Sequence, residues 1–423
     1  MTKSRGHVVI VVVNLPVERD RRVIRECLAL EEAGYRVTVI CPRGPNRLTR
    51  LPGSRSTDIR SFPQPLAGAG VLSFAFEFAW ALFAVTTRLL GLMLRTRVDA
   101  VQACNPPDVF WLLALLLRVI GRPFVFDHHD LSPELYECKT DSPKPAVLAI
   151  LKWFEKMSWR WATAVVSTNE SYRDLAITRG GVDPDKVAVV RNGPAIAEVA
   201  YNEAAQQTGR HTVVYLGVIN PQDHVDAAVL AAERLIGLRG SSDWKLVVAG
   251  DGECLPELRE LATARHLDDV VEFRGWLEAD EVDALLNTAT IAIQPDPPTR
   301  MAELSTMAKT VEYVARGVPV VAVDLLETRR TAEGAALYVP TGAPDELAKA
   351  IDMLLSDSAA RAEMSKVARR RFVDVLAWDH QAKSYIRLWD RLLGQTRKGY
   401  KSGSPVGGGD RPGSPRDTNQ SVG

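Results

Sequence analysis

The sequence predicts an α/β protein built from two doubly wound domains that face a cleft. Two observations carry this: β-branched apolar runs alternate with helical patterns in two successive series, and a stretch near residues 193–210, rich in Ala, Gln and Gly, separates them. A third is length: 423 residues is about 2.8 times a nominal ~150-residue domain, which favours two domains and allows three.

Residues 8–13 form an uninterrupted run of Val and Ile, the pattern of a parallel strand covered on both faces. Residues 22–33 put Val23, Cys27, Leu28 and Leu30 on a helical face, and Gly34 ends that helix before a strand at 35–40. This is a βαβ unit, with the right-handed crossover such units adopt. Strands at 100–103, 123–126, 164–167 and 187–190, with helices at 109–120 and 146–161, continue the series. The second series runs strand 213–216, helix 225–238, strand 245–249, helix 255–265, strand 270–273 and helix 278–287. Strand 291–294, helix 307–316, strand 318–323 and a helix from Pro344 complete it. The expected domains are 1–200, joined by a returning helix at 378–396, and 208–377. The tail 397–423, rich in Gly, Ser and Pro, is expected to be disordered.

With 46% hydrophobic and 25% charged residues, the chain has the makings of a full core and is no disordered or fibrous protein. Lys+Arg and Asp+Glu both number 52, so overall charge points to no nucleic-acid partner. Residues 1–122 nonetheless hold 17 Lys/Arg against 9 Asp/Glu, which suits an anionic partner or, equally, arginines scattered on a solvated surface. Five unpaired-looking cysteines with no CxxC fit a reducing compartment and argue against zinc. The apolar run at 8–13 is too short for a signal peptide, so a cytoplasmic location is expected.

Residues 66–94 are almost wholly apolar, interrupted by Glu77 and Arg88, which lie eleven residues apart and so share a helical face. Two readings stand: a core helix under the first sheet, or a helix dipping into a membrane surface with Arg88, Arg95 and Arg97 meeting lipid phosphates.

The turn after the first strand, 14–18, lacks the glycines of a dinucleotide fold, which disfavours an oxidoreductase. No P-loop and no G-x-S-x-G elbow occur. Gly250-Asp251-Gly252 follows a strand but is satisfied as a tight turn. The densest motif is 305–323. A Ser or Thr cap there opens a helix whose first N–H groups suit a diphosphate, Thr306, Met307 and Ala308 leading into it. Lys309 adds a positive charge one turn in, and Glu312 at i+3 is placed to accept two bonds from ribose hydroxyls. The alternative is an exposed Lys–Glu pair on a solvated helix.

Tyr215-Leu216-Gly217, Val247-Val248-Ala249-Gly250-Asp251-Gly252, Val271-Glu272-Phe273-Arg274-Gly275 and Lys309-x-x-Glu312-Tyr313 followed by Gly317-Val318-Pro319 stand in a distinctive order. So do Asp127-His128-His129-Asp130-Leu131-Ser132-Pro133-Glu134, Arg191-Asn192-Gly193 and Trp378-Asp379-His380-Gln381. In this order the chain, over residues 7–396, resembles the family 4 retaining glycosyltransferases of GT-B fold, in a Lys-x-x-Glu variant branch. The resemblance implies a nucleotide-diphosphate sugar donor held by the second domain and a hydroxyl acceptor held by the first. It implies no metal or other cofactor, and it places His129 against the transferred sugar as the catalytic histidine, with Asp127 or Asp130 on its other nitrogen. The alternative for His129 is a solvated turn. Gly217 would lie at the donor.

Two departures stand out. The acid eight residues before Glu312 is Leu304, with Glu303 one position off, and the loop 218–224 lacks the family's Arg and Lys. Lys309 and Arg274 are therefore expected to supply the charge. Asn14, Arg21 and Arg22 follow the first strand and either contact an anionic acceptor or diphosphate or merely start a solvated helix. A lipid-linked saccharide acceptor, in cell-surface polysaccharide or glycolipid synthesis on the inner membrane face, is expected from 66–97 and the basic first half. The rival functions are a nucleotide-sugar 2-epimerase of the same fold and a non-catalytic binding protein.

Overall fold

The computed structural model describes residues 4–64, 71–140, 142–201, 210–240 and 243–400. The first sheet is wholly parallel. It comprises β1 (His7–Val11), β2 (Arg36–Pro42), β3 (Asp58–Phe62), β4 (Ala100–Cys104), β5 (Phe124–His128), β6 (Ala164–Ser167) and β7 (Val187–Val189). Their spatial order is β3-β2-β1-β4-β5-β6-β7, so the strand sequence reverses between β1 and β4, the point at which open α/β sheets bind ligands.

Helix α1 (Arg21–Glu32) covers one face of this sheet. The Asp20 carboxylate caps it by accepting the Val23 N–H at 3.0 Å. Helices α2 (Val71–Met93), α3 (Trp111–Val119), α5 (Pro145–Trp161) and α6 (Glu170–Thr178) bury their inner sides in the opposite core, with the short α4 (Ser132–Lys139) preceding α5.

The second sheet contains β8 (His211–Leu216), β9 (Trp244–Ala249), β10 (Val271–Gly275), β11 (Ile291–Gln294), β12 (Val320–Val323) and β13 (Ala336–Val339), in the order β10-β9-β8-β11-β12-β13. Helices α7 (Val225–Arg239), α8 (Leu255–Ala264) and α9 (Ala279–Thr288) link its first strands. Helices α10 (Arg300–Leu304), α11 (Ala308–Ala315), α12 (Leu326–Ala332), α13 (Pro344–Ser356) and α14 (Ser358–Arg371) follow. The chain then returns through α15 (Trp378–Tyr400), which packs Tyr385, Leu388 and Trp389 beside α1. The Tyr385 hydroxyl donates to Gln102 Oε1 at 2.7 Å, pinning the returning helix to β4.

Some elements were not expected. β3 is an edge strand reading Asp-Ile-Arg-Ser-Phe, too polar to stand out, and α6 starts at an Asn169 cap rather than at an apolar stripe. Helix α15 runs to Tyr400, past the expected end at 396. The rest of the predicted disordered tail (401–423), part of the joint between the domains (202–209) and the first residues of the apolar segment (66–70) lie outside the described residues.

Within that segment α2 does two things. Its inner side, Ala81, Ala84, Val85, Leu89 and Leu92, is buried in the core, while Phe76, Phe83 and Leu90 remain exposed. Arg88 does not point outward as expected. Its guanidinium donates to Ser61 O at 3.0 Å and lies over the Phe62 ring, and Arg97 is paired with Asp99 at 2.8 Å.

Candidate active site

The carboxyl ends of the two sheets meet along a seam. Asn169 Nδ2 donates across it to Leu304 O at 2.9 Å and to Thr306 Oγ1 at 3.1 Å. The Tyr172 hydroxyl meets Ser305 Oγ at 3.2 Å, and Ser171 Oγ donates to Glu327 Oε1 at 2.7 Å. The segment joining α10 to α11 is thus laid on the start of α6. Leu304, where the family pattern has an acid, packs against the first domain's core. Glu303 accepts the Leu326 N–H at 2.7 Å and is occupied at the start of α12.

On the second-domain side, Gly217 follows β8 and Gly250 follows β9. Gly250 has φ +141°, and a Cβ there would sit 1.7 Å from Gly217 O, so only glycine lets these two loops close on each other. A Cβ on Gly217 would in turn lie 3.2 Å from the Lys309 Cε.

Lys309 is beneath this loop, and its environment corrects the expected clasp. The ammonium is buried and donates to Asp296 Oδ1 at 2.8 Å, Asp223 Oδ1 at 3.1 Å and the Tyr215 hydroxyl at 3.3 Å. Burial opposes its charge, but Asp296, Tyr215 and Asp223 outweigh it and hold the ammonium well above its ordinary pKa. With two carboxylates on one cation, Lys309 has no charge left over for a phosphate. It braces the Gly217 loop through Asp223 instead.

Glu312 is paired with Arg316, which also holds Asp283. Arg274 lies on edge strand β10, two strands from β8, and donates to Glu272 Oε1 at 2.7 Å.

The start of α11 remains open. Its N-cap is Met307, without a side-chain cap, in place of the expected Ser or Thr. The N–H groups of Ala308 and Lys309 find no acceptor among the described residues. Ala308 is exposed, so these two dipoles face the seam beside Thr306 and are the kind of donors an anionic group takes up.

On the first-domain side, alternation along β5 separates its two histidines. His128 is fully buried, 5.1 Å from the Trp159 ring and 5.2 Å from Tyr172. His129 follows the strand. Its N–H donates to Asn105 Oδ1 at 2.8 Å, as does that of Asp130 at 3.1 Å, and Asn105 Nδ2 donates back to Asp130 O at 2.7 Å. One buried amide thus holds the whole turn. His129 Nε2 is buried and has no partner, and a buried polar atom left unpaired asks for an explanation.

Neither expected carboxylate holds the His129 ring. Asp130 makes no side-chain bond to it, and burial raises its carboxyl pKa. Asp127 is held by Arg22, with bonds of 2.9 and 3.2 Å.

Arg22 is therefore not a ligand-contacting residue. Its guanidinium is buried, reaches Glu26 at 3.2 Å and donates to Val190 O at 2.9 Å and Asn192 Oδ1 at 2.7 Å. Burial works against the Asp127 charge, yet Arg22 holds that carboxyl below the ordinary range, while burial and Asp127 push Glu26 well above it. Glu26, Cys104 and Asp127 offer three ligand atoms within 4.8 Å of one another, but the guanidinium already supplies the cation there. Asn14 and Arg21 are exposed after β1, and Arg21 has no partner among the described residues.

Asp108 lies under this turn, accepting from Ser132 Oγ at 2.7 Å and Asn105 Nδ2 at 3.2 Å. Burial pushes its carboxyl up to about 6 from 3.8. A raised folded-state pKa favours the protonated form, so its stabilisation is full below about pH 4 and is lost as pH rises through about 6. Asp108→Asn is expected to gain on the wild type by up to about 3 kcal/mol between about pH 4 and pH 8. Urea unfolding at the two pH values checks this; a constant difference would contradict it.

Several residues that build this site gave no sequence signal. Asn105, Asn169, Asp223 and Asp296 are single polar residues in unremarkable loops.

Residues 20–193 match the family model described as Glycosyl transferase 4-like domain, and residues 210–357 match Glycosyl transferases group 1. Alpha-D-kanosaminyltransferase of Streptomyces kanamyceticus is 27% identical over 265 residues, covering 60% of this chain and 67% of that one. Sucrose-phosphate synthase from Thermosynechococcus elongatus superposes with a TM-score of 0.76 at 16% identity, over 92% of this chain and all of the other. Anabaena HepE in complex with UDP-glucose gives 0.68 at 16% identity, over 91% and 100%. These matches favour sugar transfer over the epimerase and non-catalytic readings. With both halves matched in order and two doubly wound domains meeting at their carboxyl ends, the chain belongs to the family 4 glycosyltransferases of GT-B fold, enzymes that use a nucleotide-diphosphate sugar donor.

Proposed function

We propose that this enzyme moves the sugar to a hydroxyl acceptor with retention of anomeric configuration, and without a metal. The observation that carries the reading is the unpartnered, buried Nε2 of His129 at the same seam as the free N–H groups of α11. The diphosphate sits at Ala308 and Lys309, whose dipoles stabilise the charge that develops on the leaving oxygen. The acceptor oxygen bonds to the anomeric carbon on the face the diphosphate leaves. As the carbon–oxygen bond to phosphate breaks, its electron pair stays on the phosphate oxygen, which takes the acceptor proton. His129 hydrogen-bonds the transferred sugar as charge develops at its anomeric carbon. Arg21, exposed on the first domain, is available to an anionic group of acceptor or donor.

The acceptor we assign is a lipid-linked saccharide, used in cell-surface polysaccharide or glycolipid synthesis at the cytoplasmic face of the membrane. The exposed apolar side of α2 and the basic first 122 residues support it.

A thermal-shift panel of UDP-, GDP- and ADP-sugars tests donor binding. At about 100 times Kd a ligand adds about 2.7 kcal/mol to stability, so one nucleotide series should raise Tm by several degrees. Glu312→Ala should weaken that series roughly tenfold or more, as loss of bonds from ribose hydroxyls to a carboxylate implies. No stabilisation by any of the three would overturn the reading.

A further inference from the structure

Three helices on one face of the first sheet share an unusual outer surface. In a parallel βαβ chain the helix before each strand returns the chain from the carboxyl end of the sheet to that strand's start, so α2, α3 and α5, which lead into β4, β5 and β6, all run from the cleft rim towards the far end of the domain. On α2, Phe76, Phe83 and Leu90 recur every seven residues and form one outward stripe, Phe83 being 60% exposed. On α3, packed on the same core, Leu112, Leu116 and Val119 are also exposed, Val119 at 86%. So are Ile150 and Trp153 on α5, where Trp153 packs edge-on against Trp111 of α3 with ring centroids 5.5 Å apart. A soluble surface rarely leaves three helices on one face of a sheet apolar on their outer sides without a partner.

The charges around this surface have one sign. Arg95, Arg118, Lys152, Lys156 and Arg160 are exposed, whereas no Asp or Glu is exposed in 71–122 or 143–161. Glu77 and Asp99 are half-buried, and Asp108 and Glu155 are buried. Helix α2 is the one helix among the described residues long and apolar enough to cross a bilayer. Its inner side, however, is committed to the core beneath β1–β3, so it can lie on a membrane but not leave the domain to span it.

We infer that the outer surface of α2, α3 and α5 docks the enzyme on an anionic lipid bilayer, with the apolar stripe in the headgroup boundary and the basic residues on lipid phosphates. This deepens the lipid-linked acceptor reading and rests on it: docked this way, the cleft rim from which the three helices start lies at the bilayer surface, where such an acceptor is held.

Co-sedimentation of the full chain with vesicles tests the inference. The wild type should bind vesicles of phosphatidylcholine with phosphatidylglycerol at low salt, and bind pure phosphatidylcholine at least tenfold more weakly. Binding to the anionic vesicles should also fall in high salt, where exposed charges are screened. Phe83→Glu with Leu116→Glu should lower binding at least tenfold, and Lys152→Glu with Lys156→Glu severalfold. Both residue pairs are exposed, so circular dichroism and melting should match the wild type. A folded wild type that stays in the supernatant at low salt overturns the docking, as does unchanged binding by the Phe83/Leu116 variant. Self-association abolished by that variant, without vesicle binding, would instead assign the face to a second copy. Donor-induced thermal shifts, measured on the same samples, report separately on the transfer reading.

Discussion

Replacing His129 with alanine is expected to lower the rate constant for transfer about 100- to 1000-fold, the loss typical of one preorganised donor to a transition state. Donor binding, read by thermal shift, should change little. The expectation follows from the geometry of the turn. Asn105 fixes its backbone from below, and the buried Nε2 has no partner in the protein, so the imidazole is free to bond the sugar as charge develops at the anomeric carbon. Because the ring bonds to neither Asp127 nor Asp130, His129→Ala should leave the Arg22 network and the melting temperature nearly unchanged. A variant that transfers sugar at the wild-type rate would remove His129 from the mechanism.

Arg22→Met should act in the opposite sense, through stability. Removing the guanidinium leaves Asp127 and Glu26 buried without their cation, and breaking a buried ion pair on one side costs about 3–5 kcal/mol. For a domain of this size that corresponds to a fall in Tm of roughly 10 °C. It should also loosen the start of the interdomain joint, where Arg22 holds Val190 O and Asn192. Arg22→Met with Asp127→Leu should recover part of the loss, because the pair is removed together. A single variant that melts like the wild type but has a raised KM for donor or acceptor would show that Arg22 contacts substrate after all.

How far the sequence could be read is clearest at α11 and β5. The helix, its i,i+3 placement of Lys309 and Glu312, and its position at a strand's carboxyl end were all legible, because spacing and strand order determine them. The partners of Lys309 were not. Asp296 and Asp223 come from two other loops, which only the folded second domain brings to one ammonium. Arg22 is a similar case: next to a cleft-facing turn an arginine suggests phosphate or solvent, but α1 turns it inward onto Asp127, 105 residues away. The histidine pair was separable in principle, since alternation along a strand sends neighbours to opposite faces. The seam contacts of Asn169 and Ser171 with the second domain had no sequence counterpart, since they depend on how two folded domains meet.

The diphosphate is expected at the start of α11, between the two domains. A crystal structure with the nucleoside diphosphate that stabilises the protein most tests it directly. Phosphate oxygens are expected within hydrogen-bonding distance of the Ala308 and Lys309 N–H groups, the ribose on Glu312, and the Lys309 ammonium still held by Asp223 and Asp296. A diphosphate bound away from α11, or contacted by a Lys309 released from both carboxylates, would contradict it.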